Sequence, residues 1–447
     1  MSSESPACLE LRAKAPSNWG VESLEKVTDF QEGPGILAKD FRATGVPLLR
    51  LRNIETPRVQ IDGCNFLDPE KVNTKWKHFG LSQGDFLIST SASLGRVSVV
   101  GEDAVNAIAY TGIIRFRSRS PLLHHEYLRA FLSSRIFVEQ AERMATGSVI
   151  KHFGPSHLKQ MAITLPPLET QVQIAQIFDI LDDRINLLRE TNTTLEAIAQ
   201  ALFKSWFVDF DPVHAKMQGR APEGMDQATA AVFPDSFEES ELGPVPKGWQ
   251  VKSLDAVASF LNGLALQKFP PTGDNDLPVI KIAQLRKGDT VGADLASRSI
   301  KPEYLVQNGD VLFSWSGSLE VEIWCGGEGA LNQHLFKVTS GAFPKWFYFL
   351  WTRHHLEHFR QVAASKATTM GHIQRAHLTG AKVLVPSDGV LNAANSVLEP
   401  IMQRVIENSL QAYNLAALRD TLLPRLISGQ LRLSELELIS NAEVLSE

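Results

Sequence analysis

The sequence contains little cysteine: only Cys8, Cys64 and Cys325 occur in 447 residues, and no two of them form a CxxC pair. This spacing excludes a disulfide framework and a cysteine-based zinc site, and it fits a reducing compartment. The first 15 residues lack the apolar core of a signal peptide, and no run reaches the roughly 18 apolar residues that a membrane span needs. We therefore expect a cytoplasmic protein without a membrane segment.

Motifs of nucleotide and hydrolase chemistry are also missing. The sequence has no Walker loop, no GxGxxG after a predicted strand and no GxSxG elbow. It also lacks an Asn-Pro-Pro-Tyr-like segment, with which amino-methyltransferases hold a flipped base. ATP hydrolysis, dinucleotide chemistry and methyl transfer are therefore not expected of this chain.

Two groups of residues could suggest a metal site. His354–His358 matches the H-x-x-E-H pattern of inverted zinc peptidases, but a five-residue match arises easily by chance, and a solvated histidine cluster is the more common case. Asp182–Asp183 and Asp209–Asp211 have no third ligand at a suitable spacing. We expect Asp182 and Asp183 on the polar face of a helix, near Arg184 and Arg189, and we expect no metal.

The length predicts two to four domains, and an internal repeat divides the chain. Asn18–Leu24 recurs as Gly248–Leu254, and Gly84–Ser89 recurs as Gly309–Ser314. The offset between the copies falls from 230 to 220 residues and then stays constant. The chain is therefore a tandem duplication.

Each repeat begins with an α+β block and continues into a long helix. Short apolar runs such as Val46–Leu51, Phe86–Ser89, Val97–Val100 and Ile113–Phe116 predict strands, and a helix is predicted at 125–140, matched by 345–360. Residues 169–205 contain neither Pro nor Gly, which predicts a helix of roughly 55 Å. A second long helix is predicted over 392–423, with Pro424 as a stop or kink.

Apolar residues at steps of seven give the first helix a coiled-coil seam. Its positions are Ile174, Leu181, Leu188, Leu195 and Leu202, and those of the second helix are Ala394, Ile401, Asn408, Leu415 and Leu422. Asn192 and Asn408 interrupt the seams, and such a polar residue either fixes the register or is simply solvated. Two such helices are expected to pack on each other or on partner helices.

Polar loops in the two α+β blocks are the candidate nucleic-acid contacts. Ser89–Arg96 corresponds to Ser314–Leu319, and Ala145–His152 corresponds to Ser365–His372. Hydroxyl, basic and imidazole side chains suit phosphates and base edges, although Ser and Gly also mark ordinary turns. The predicted DNA-binding residues are Arg96, Lys151, His152, Lys366, Thr368, Thr369 and His372.

An aromatic stretch at the end of the first helix has helical spacing, which favours a core or a partner interface over a base-stacking platform. The predicted partner-binding residues of the two helices are Leu195, Ile198, Leu202, Phe203, Trp206, Phe207, Leu418 and Leu422.

The helical regions resemble a known family. Leu165–Gln171, Leu181–Ile185 and Leu195–Pro212 are similar to the central conserved region of specificity subunits of type I restriction-modification systems, and Leu418–Gly429 is similar to their distal conserved region. The resemblance implies an α+β fold: two target recognition domains in tandem, each followed by a long helix, with the helices paired antiparallel and pseudo-twofold. The implied segments are 1–165 (first recognition domain), 166–208 (central helix), 209–246 (linker), 247–386 (second recognition domain), 387–435 (distal helix) and 436–447 (acidic tail).

The resemblance also implies a function without catalysis by this chain. Each recognition domain of the family reads one half of a bipartite, asymmetric DNA target through the major groove. Two methyltransferase subunits and motor endonuclease subunits join the complex, which acts as a restriction enzyme and adenine DNA methyltransferase. S-adenosylmethionine, ATP and magnesium are expected on those partners, and no cofactor is expected here.

The charge distribution bears on this function. The whole chain has 44 basic and 50 acidic residues, which argues mildly against nucleic acid. However, residues 1–165 have 20 basic and 17 acidic residues and residues 247–386 have 15 and 11, so the acidic excess lies elsewhere. Such small positive charges predict weak DNA binding by the isolated chain. The alternative is a scaffold that joins two partner subunits without reading DNA.

Overall fold

The structure, a computed structural model, describes residues 5–90, 96–144, 153–365, 371–433 and 435. The chain divides into two compact units: unit 1 comprises residues 1–186 and 415–447, and unit 2 comprises residues 187–414. Among the described helices, none combines the length and apolar character needed to cross a membrane.

Unit 1 begins with a mixed segment of strands and short helices. Its strands are β1 (Gly20–Ser23), β2 (Thr28–Glu32), β3 (Phe41–Arg42), β4 (Val46–Leu49), β5 (Asn65–Leu67), β6 (Phe86–Ser89), β7 (Val97–Val99), β8 (Ile108–Ala109), β9 (Ile113–Ser118) and β10 (Ala162–Leu165). Its helices are α1 (Pro6–Lys14), α2 (Leu24–Val27), α3 (Pro69–Lys71), α4 (His125–Ser133), α5 (Arg135–Met144), α6 (Pro155–Leu158) and the first part of α7 (Leu168–Phe203). Shorter 3-10 or π turns occur at Ala38–Asp40, Leu51–Ile54, Val72–Trp76, Lys77–Phe79 and Glu102–Ala104.

The two four-stranded sheets of unit 1 contribute side chains to two hydrophobic clusters. One sheet has the strand order β2-β9-β6-β7 and is antiparallel, and a second has the order β3-β5-β4-β8. Because side chains alternate along a strand, Phe86 and Ile88 face the helices α4 and α5, whereas Leu87 lies in a second cluster with Leu49 and Ala109 of the other sheet. A two-stranded pair, β1 with β10, places the end of the domain beside its start.

Unit 2 repeats this plan after a segment of its own. α7 runs into a π turn at Lys204–Val208, followed by α8 (Asp211–Met217), α9 (Gln227–Val232) and a hairpin of β11 (Phe237–Ser240) and β12 (Gly243–Pro246). Although residues 209–246 are expected to form a linker, Val213, Phe233 and Val245 are buried in the core of unit 2. Apolar residues within the linker therefore attach it to the second domain.

The remaining elements of unit 2 mirror those of unit 1. The strands are β13 (Gln250–Ser253), β14 (Ser259–Asn262), β15 (Leu277–Ile280), β16 (Leu295–Ala296), β17 (Leu305–Val306), β18 (Val311–Ser314), β19 (Val321–Ile323), β20 (Gly329–Leu331), β21 (Leu335–Thr339) and β22 (Lys382–Val385). The helices are α10 (Leu254–Val257), α11 (Ile282–Lys287), α12 (Lys345–His354), α13 (Leu356–Ser365), α14 (Arg375–Gly380) and α15 (Asp388–Ser428), with 3-10 turns at Leu266–Lys268 and Pro302–Tyr304. The sheet β14-β21-β18-β19 corresponds to β2-β9-β6-β7. The predicted α+β class is confirmed.

Within each unit, segments of α7 and α15 run antiparallel. In unit 1, Ile174 and Phe178 share a core with Leu423 and Ile427, while Asp182, further along α7, pairs with Arg419, which comes earlier in α15. In unit 2, Asn192 bonds to Asn408. α15 is longer than predicted because it continues through Pro424 to Ser428.

Asp182 does not form the local contacts expected from sequence. Its carboxylate accepts from Arg129 of α4 at 2.7 Å and from Arg419 of α15 at 2.9 Å. Asp182 therefore connects three elements of unit 1, and the side chain is only 14% exposed. The neighbouring Asp183 is exposed.

The domain limits taken from the sequence stay predictions.

Candidate nucleic-acid interface

In unit 1, the candidate interface is one edge of the sheet β2-β9-β6-β7. The register pairs Glu32 with Ile114, Ser89 with Ile113 and Ile88 with Val97. The carboxyl ends of β2 and β6 and the amino ends of β7 and β9 therefore meet at the same edge.

Backbone hydrogen bonds connect the segments at this edge. Thr90 N donates to Gly112 O at 2.9 Å, Phe153 N donates to Thr90 O at 3.1 Å, and Gly33 N donates to Ile113 O at 3.0 Å. These three bonds hold the segments that follow β2, β6 and β8 beside the segment that begins at Phe153. We call this arrangement the edge frame.

Unit 2 has the same edge frame. Trp315 N donates to His334 O at 3.3 Å, Ile373 N donates to Trp315 O at 2.9 Å, and Gly263 N donates to Leu335 O at 3.0 Å. The correspondence is residue for residue, so Trp315 takes the place of Thr90 and His334 that of Gly112. The two halves of the duplication thus present side chains from equivalent backbone positions.

A glycine in each frame is required by close packing. A Cβ on Gly33 would lie 2.0 Å from Ala109 O, and a Cβ on Gly263 would lie 2.2 Å from Asn332 O. Any larger residue would therefore push the strand end away from its neighbour. These contacts fix the backbone at the residues just before the glycines, Glu32 and Asn262.

The side chains on the frame of unit 1 are small or acidic. Glu32 Oε1 accepts from Gly112 N at 3.1 Å and from Thr111 Oγ1 at 3.2 Å. Tyr110 donates through its hydroxyl to Ile36 O at 3.2 Å. This edge therefore presents a positioned carboxylate and a threonine hydroxyl.

The side chains on the frame of unit 2 are aromatic and amide. Trp315 Nε1 donates to Asn262 Oδ1 at 2.9 Å, and the Trp315 ring lies 5.7 Å from the His334 ring. The Gln333 amide nitrogen lies 3.3 Å from His334 Nε2, and His334 Nδ1 lies 2.9 Å from Ser316 Oγ, so both ring nitrogens of His334 have hydrogen-bond partners. Equivalent backbone positions therefore carry different hydrogen-bonding chemistry in the two units.

Two predicted DNA-binding residues lie within the described chain, both at these edges. Arg96 begins the approach to β7, is exposed, and donates to Glu55 O at 3.1 Å. His372 is exposed, pairs with Ser316 in an isolated bridge and has its ring 6.4 Å from that of Trp315. Lys151, His152, Lys366, Thr368 and Thr369 lie outside the described residues.

The predicted partner-binding residues divide by burial. Ile198 and Leu418 are 44% and 46% exposed, and Leu195, Leu202 and Leu422 are partly buried. By contrast, Phe203, Trp206 and Phe207 lie in the core of unit 2, where Phe203 stacks on Phe207 with ring centroids 5.4 Å apart. The aromatic stretch therefore packs inside the chain instead of forming an exposed surface, because unit 2 supplies aromatic neighbours such as Trp351.

The histidine cluster at the junction of α12 and α13 has a structural role. His355 Nε2 hydrogen-bonds to Lys382 O at 2.8 Å, and burial is the main reason that the pKa of His355 is lowered to about 4. Among the described residues, no group of three His, Cys, Asp or Glu side chains could hold a metal ion.

Four residues of the edge frames escaped the sequence analysis: Glu32, Asn262, Gln333 and His334. They carry no motif, and they lie outside the loops chosen for their hydroxyl and basic residues. The offset of the repeat could have paired Glu32 with Asn262, since both precede a glycine 230 residues apart. Their grouping with the loops depends on the sheet register.

Comparisons with known proteins find similar sequences over most of this chain. Residues 16–197 match a family model described as the type I restriction modification DNA specificity domain. The specificity subunit of the type I restriction enzyme MjaIX from Methanocaldococcus jannaschii is 24% identical over 438 residues, covering 95% of this chain and 96% of that protein. The HindI specificity subunit from Haemophilus influenzae is 25% identical over 406 residues, which cover 78% of this chain and 87% of that protein.

A solved structure is also similar. The S subunit of a type I restriction-modification system from M. genitalium shares 14% identity, with a TM-score of 0.48 and coverage of 92% of this chain and 96% of that one. Over residues 16–197 the chain is therefore similar to the type I restriction modification DNA specificity domain, and over most of its length it is similar to specificity subunits of type I restriction enzymes.

Proposed function

We propose that this chain gives a type I restriction-modification complex its DNA sequence specificity by binding a bipartite, asymmetric target. It has no catalytic role of its own and directs partner methyltransferase and endonuclease subunits. S-adenosylmethionine, ATP and magnesium act on those partners.

The observation that carries this proposal is the pair of edge frames. Both units hold their strand ends with equivalent backbone hydrogen bonds, yet unit 1 presents Glu32 and Thr111 whereas unit 2 presents Asn262, Trp315 and Gln333. Sequence is read by hydrogen bonds to base edges. Two frames of equal geometry and different side chains therefore suit two half-sites of different sequence.

The charge of the recognition domains supports DNA as the ligand. Residues 1–165 have three more basic than acidic side chains, and residues 247–386 have four more. Phosphate contacts provide most of the nonspecific affinity of DNA-binding proteins. Because the excess is small, we expect strong binding only when partner subunits add contacts to the backbone.

Exposed apolar side chains on the long helices support partner binding. Ile198 and Leu418 are 44% and 46% exposed, and Ile180 and Leu187 of α7 are exposed as well, at 69% and 52%. Groups of exposed apolar residues commonly mark protein interfaces. We assign them to contacts with the methyltransferase subunits.

The test is to express the chain with its methyltransferase partner in a host without other adenine methylation and to map the methylated bases. A bipartite motif with two different halves is expected. If the complex assembles but methylation follows no motif, the chain is a scaffold and the proposal fails.

A further inference from the structure

We infer that Glu32 reads the exocyclic amino group of a cytosine in the half-site bound by unit 1 and so determines one position of the target. This inference rests on the proposed function, since it requires that the edge of unit 1 faces DNA.

The Glu32 carboxylate is held ready for a ligand. Oε1 accepts from Gly112 N and Thr111 Oγ1, whereas Oε2 has no hydrogen-bond partner within the described part of the chain. The following residue, Gly33, packs against the backbone of Ala109 and fixes the end of β2. One oxygen is thus used for orientation, and the other remains available at a partly exposed position.

The charge of Glu32 argues against a contact with the DNA backbone. Within the described ranges, both hydrogen-bond donors to the Glu32 carboxylate, Thr111 and Gly112, are neutral, and no Lys or Arg forms an ion pair with it. A carboxylate repels phosphate, so a carboxylate at the edge that faces DNA is unfavourable unless it accepts a hydrogen bond from a base. Glu32 therefore suits base recognition and not nonspecific affinity.

The chemistry of the bases selects cytosine. In the major groove cytosine presents the N4 amino group as a donor without an acceptor on the same base, and carboxylates characteristically accept from it. Adenine also presents an amino group, but its neighbouring N7 is an acceptor that would repel the second carboxylate oxygen. Guanine and thymine present acceptors only.

The equivalent residue in unit 2 shows what a purely structural role would look like. Asn262 Oδ1 accepts from Trp315 Nε1 and thereby holds the indole. An amide oxygen is sufficient for that task. If Glu32 only held residues 111–112, glutamine would replace it without effect, because its amide oxygen can accept both hydrogen bonds.

The experiment compares Glu32→Gln with wild type in the complex with the methyltransferase subunit. Methylated motifs are mapped for both, and competition binding is measured with duplexes in which each cytosine of the wild-type motif is changed. We expect Glu32→Gln to reduce discrimination in favour of one cytosine by about 10- to 100-fold, the range of a good base contact. The other half of the motif should be unchanged. Glu102→Gln is the matched control, because Glu102 is exposed in the same domain and its side chain forms no hydrogen bond within the described residues.

A second measurement uses the wild-type complex and therefore does not depend on the folding of the variant. Cytosines of the motif are replaced one at a time by 2-pyrimidinone, which lacks the amino group. One replacement should weaken binding by about tenfold or more, and this loss should disappear in Glu32→Gln.

The outcomes separate the inference from the proposed function. If wild type methylates a bipartite motif and Glu32→Gln keeps the same motif and the same cytosine preference, Glu32 is not a base-reading residue, although the proposed function stands. The inference is likewise overturned if binding stays unchanged whichever cytosine amino group is removed. If wild type has no motif, the proposed function itself is lost.

Discussion

Asn408 donates its side-chain amide to Asn192 Oδ1 at 2.9 Å in the helix pair of unit 2. Asn192 in turn donates to Val405 O and Ser409 Oγ, each at 2.9 Å. Both asparagines are buried, so the polar interruptions of the seam satisfy each other across the helix pair.

Loss of one asparagine should cost more than loss of both. Asn192→Ala removes the acceptor for Asn408, and a buried group left without a partner costs about 1–3 kcal/mol. The double replacement of Asn192 and Asn408 by leucine should recover much of this loss, because no unsatisfied amide remains in the pair. Chemical denaturation of the wild type and these two variants measures the difference; equal losses in the single and the double variant would contradict the pairing.

The Asp182 network should be important for the stability of unit 1. Asp182→Ala leaves Arg129 and Arg419 without their shared carboxylate at positions only 13% and 21% exposed. We expect the free energy of unfolding to fall by about 1–3 kcal/mol, below the cost for a fully buried pair. Glu22→Gln, which breaks an exposed pair with Lys26, should change stability by less than about 1 kcal/mol. A comparable loss in both variants would count against a special role for Asp182.

Glu322 should make stability depend on pH. Burial is the main reason that its pKa rises to about 7. A carboxyl whose pKa is higher in the folded state favours folding when protonated, so its contribution declines as pH increases from about 4.5 to about 7. Glu322→Gln should remove this decline and make the protein more stable than wild type at pH 8. Thermal unfolding from pH 5 to 8 tests this; parallel curves for both proteins would refute it.

Gly33 and Gly35, which follow strand β2, provide a matched pair of positions for alanine substitution. Gly33→Ala places a Cβ 2.0 Å from Ala109 O, while Gly35→Ala has no atom within 4 Å of the new Cβ. Gly33→Ala should therefore destabilise the protein by about 1–3 kcal/mol, as overpacking usually does. Gly35→Ala should have little effect. Thermal unfolding of the two variants measures the difference in stability. Equal stabilities would contradict the close packing described for the edge frame.

Much of the fold follows from sequence patterns, because they report local periodicity. Strands β4, β6, β7 and β9 begin where their apolar runs begin, and α7 begins one residue before the predicted start. The sequence predicts a stop or kink at Pro424, but α15 does not stop there: it continues to Ser428, with Leu423 and Ile427 buried in the core on either side of the proline. The buried stripe also differs from strict steps of seven: Phe178 and Ile185 are more buried than Leu181.

The candidate site was harder to predict because it depends on long-range register. The loops predict Arg96 and His372, and this assignment stays a prediction. Glu32 becomes a candidate only through its hydrogen bonds with Thr111 and Gly112, about 80 residues away. The aromatic residues Phe203 and Phe207 posed the opposite problem. Their pattern fits either a core or an interface, and only the neighbouring residues of unit 2 decide between them.

The core of unit 1 has a consequence for how the protein is made. Leu423, Leu426, Ile427 and Leu431 are buried with Ile174 and Phe178, and Ile427 O accepts from Thr164 Oγ1 at 2.6 Å. During synthesis these apolar partners leave the ribosome only after the whole of unit 2. The first domain must therefore wait with an incomplete core while more than 200 further residues are translated, a period in which a chaperone or an early-binding subunit would protect it from aggregation.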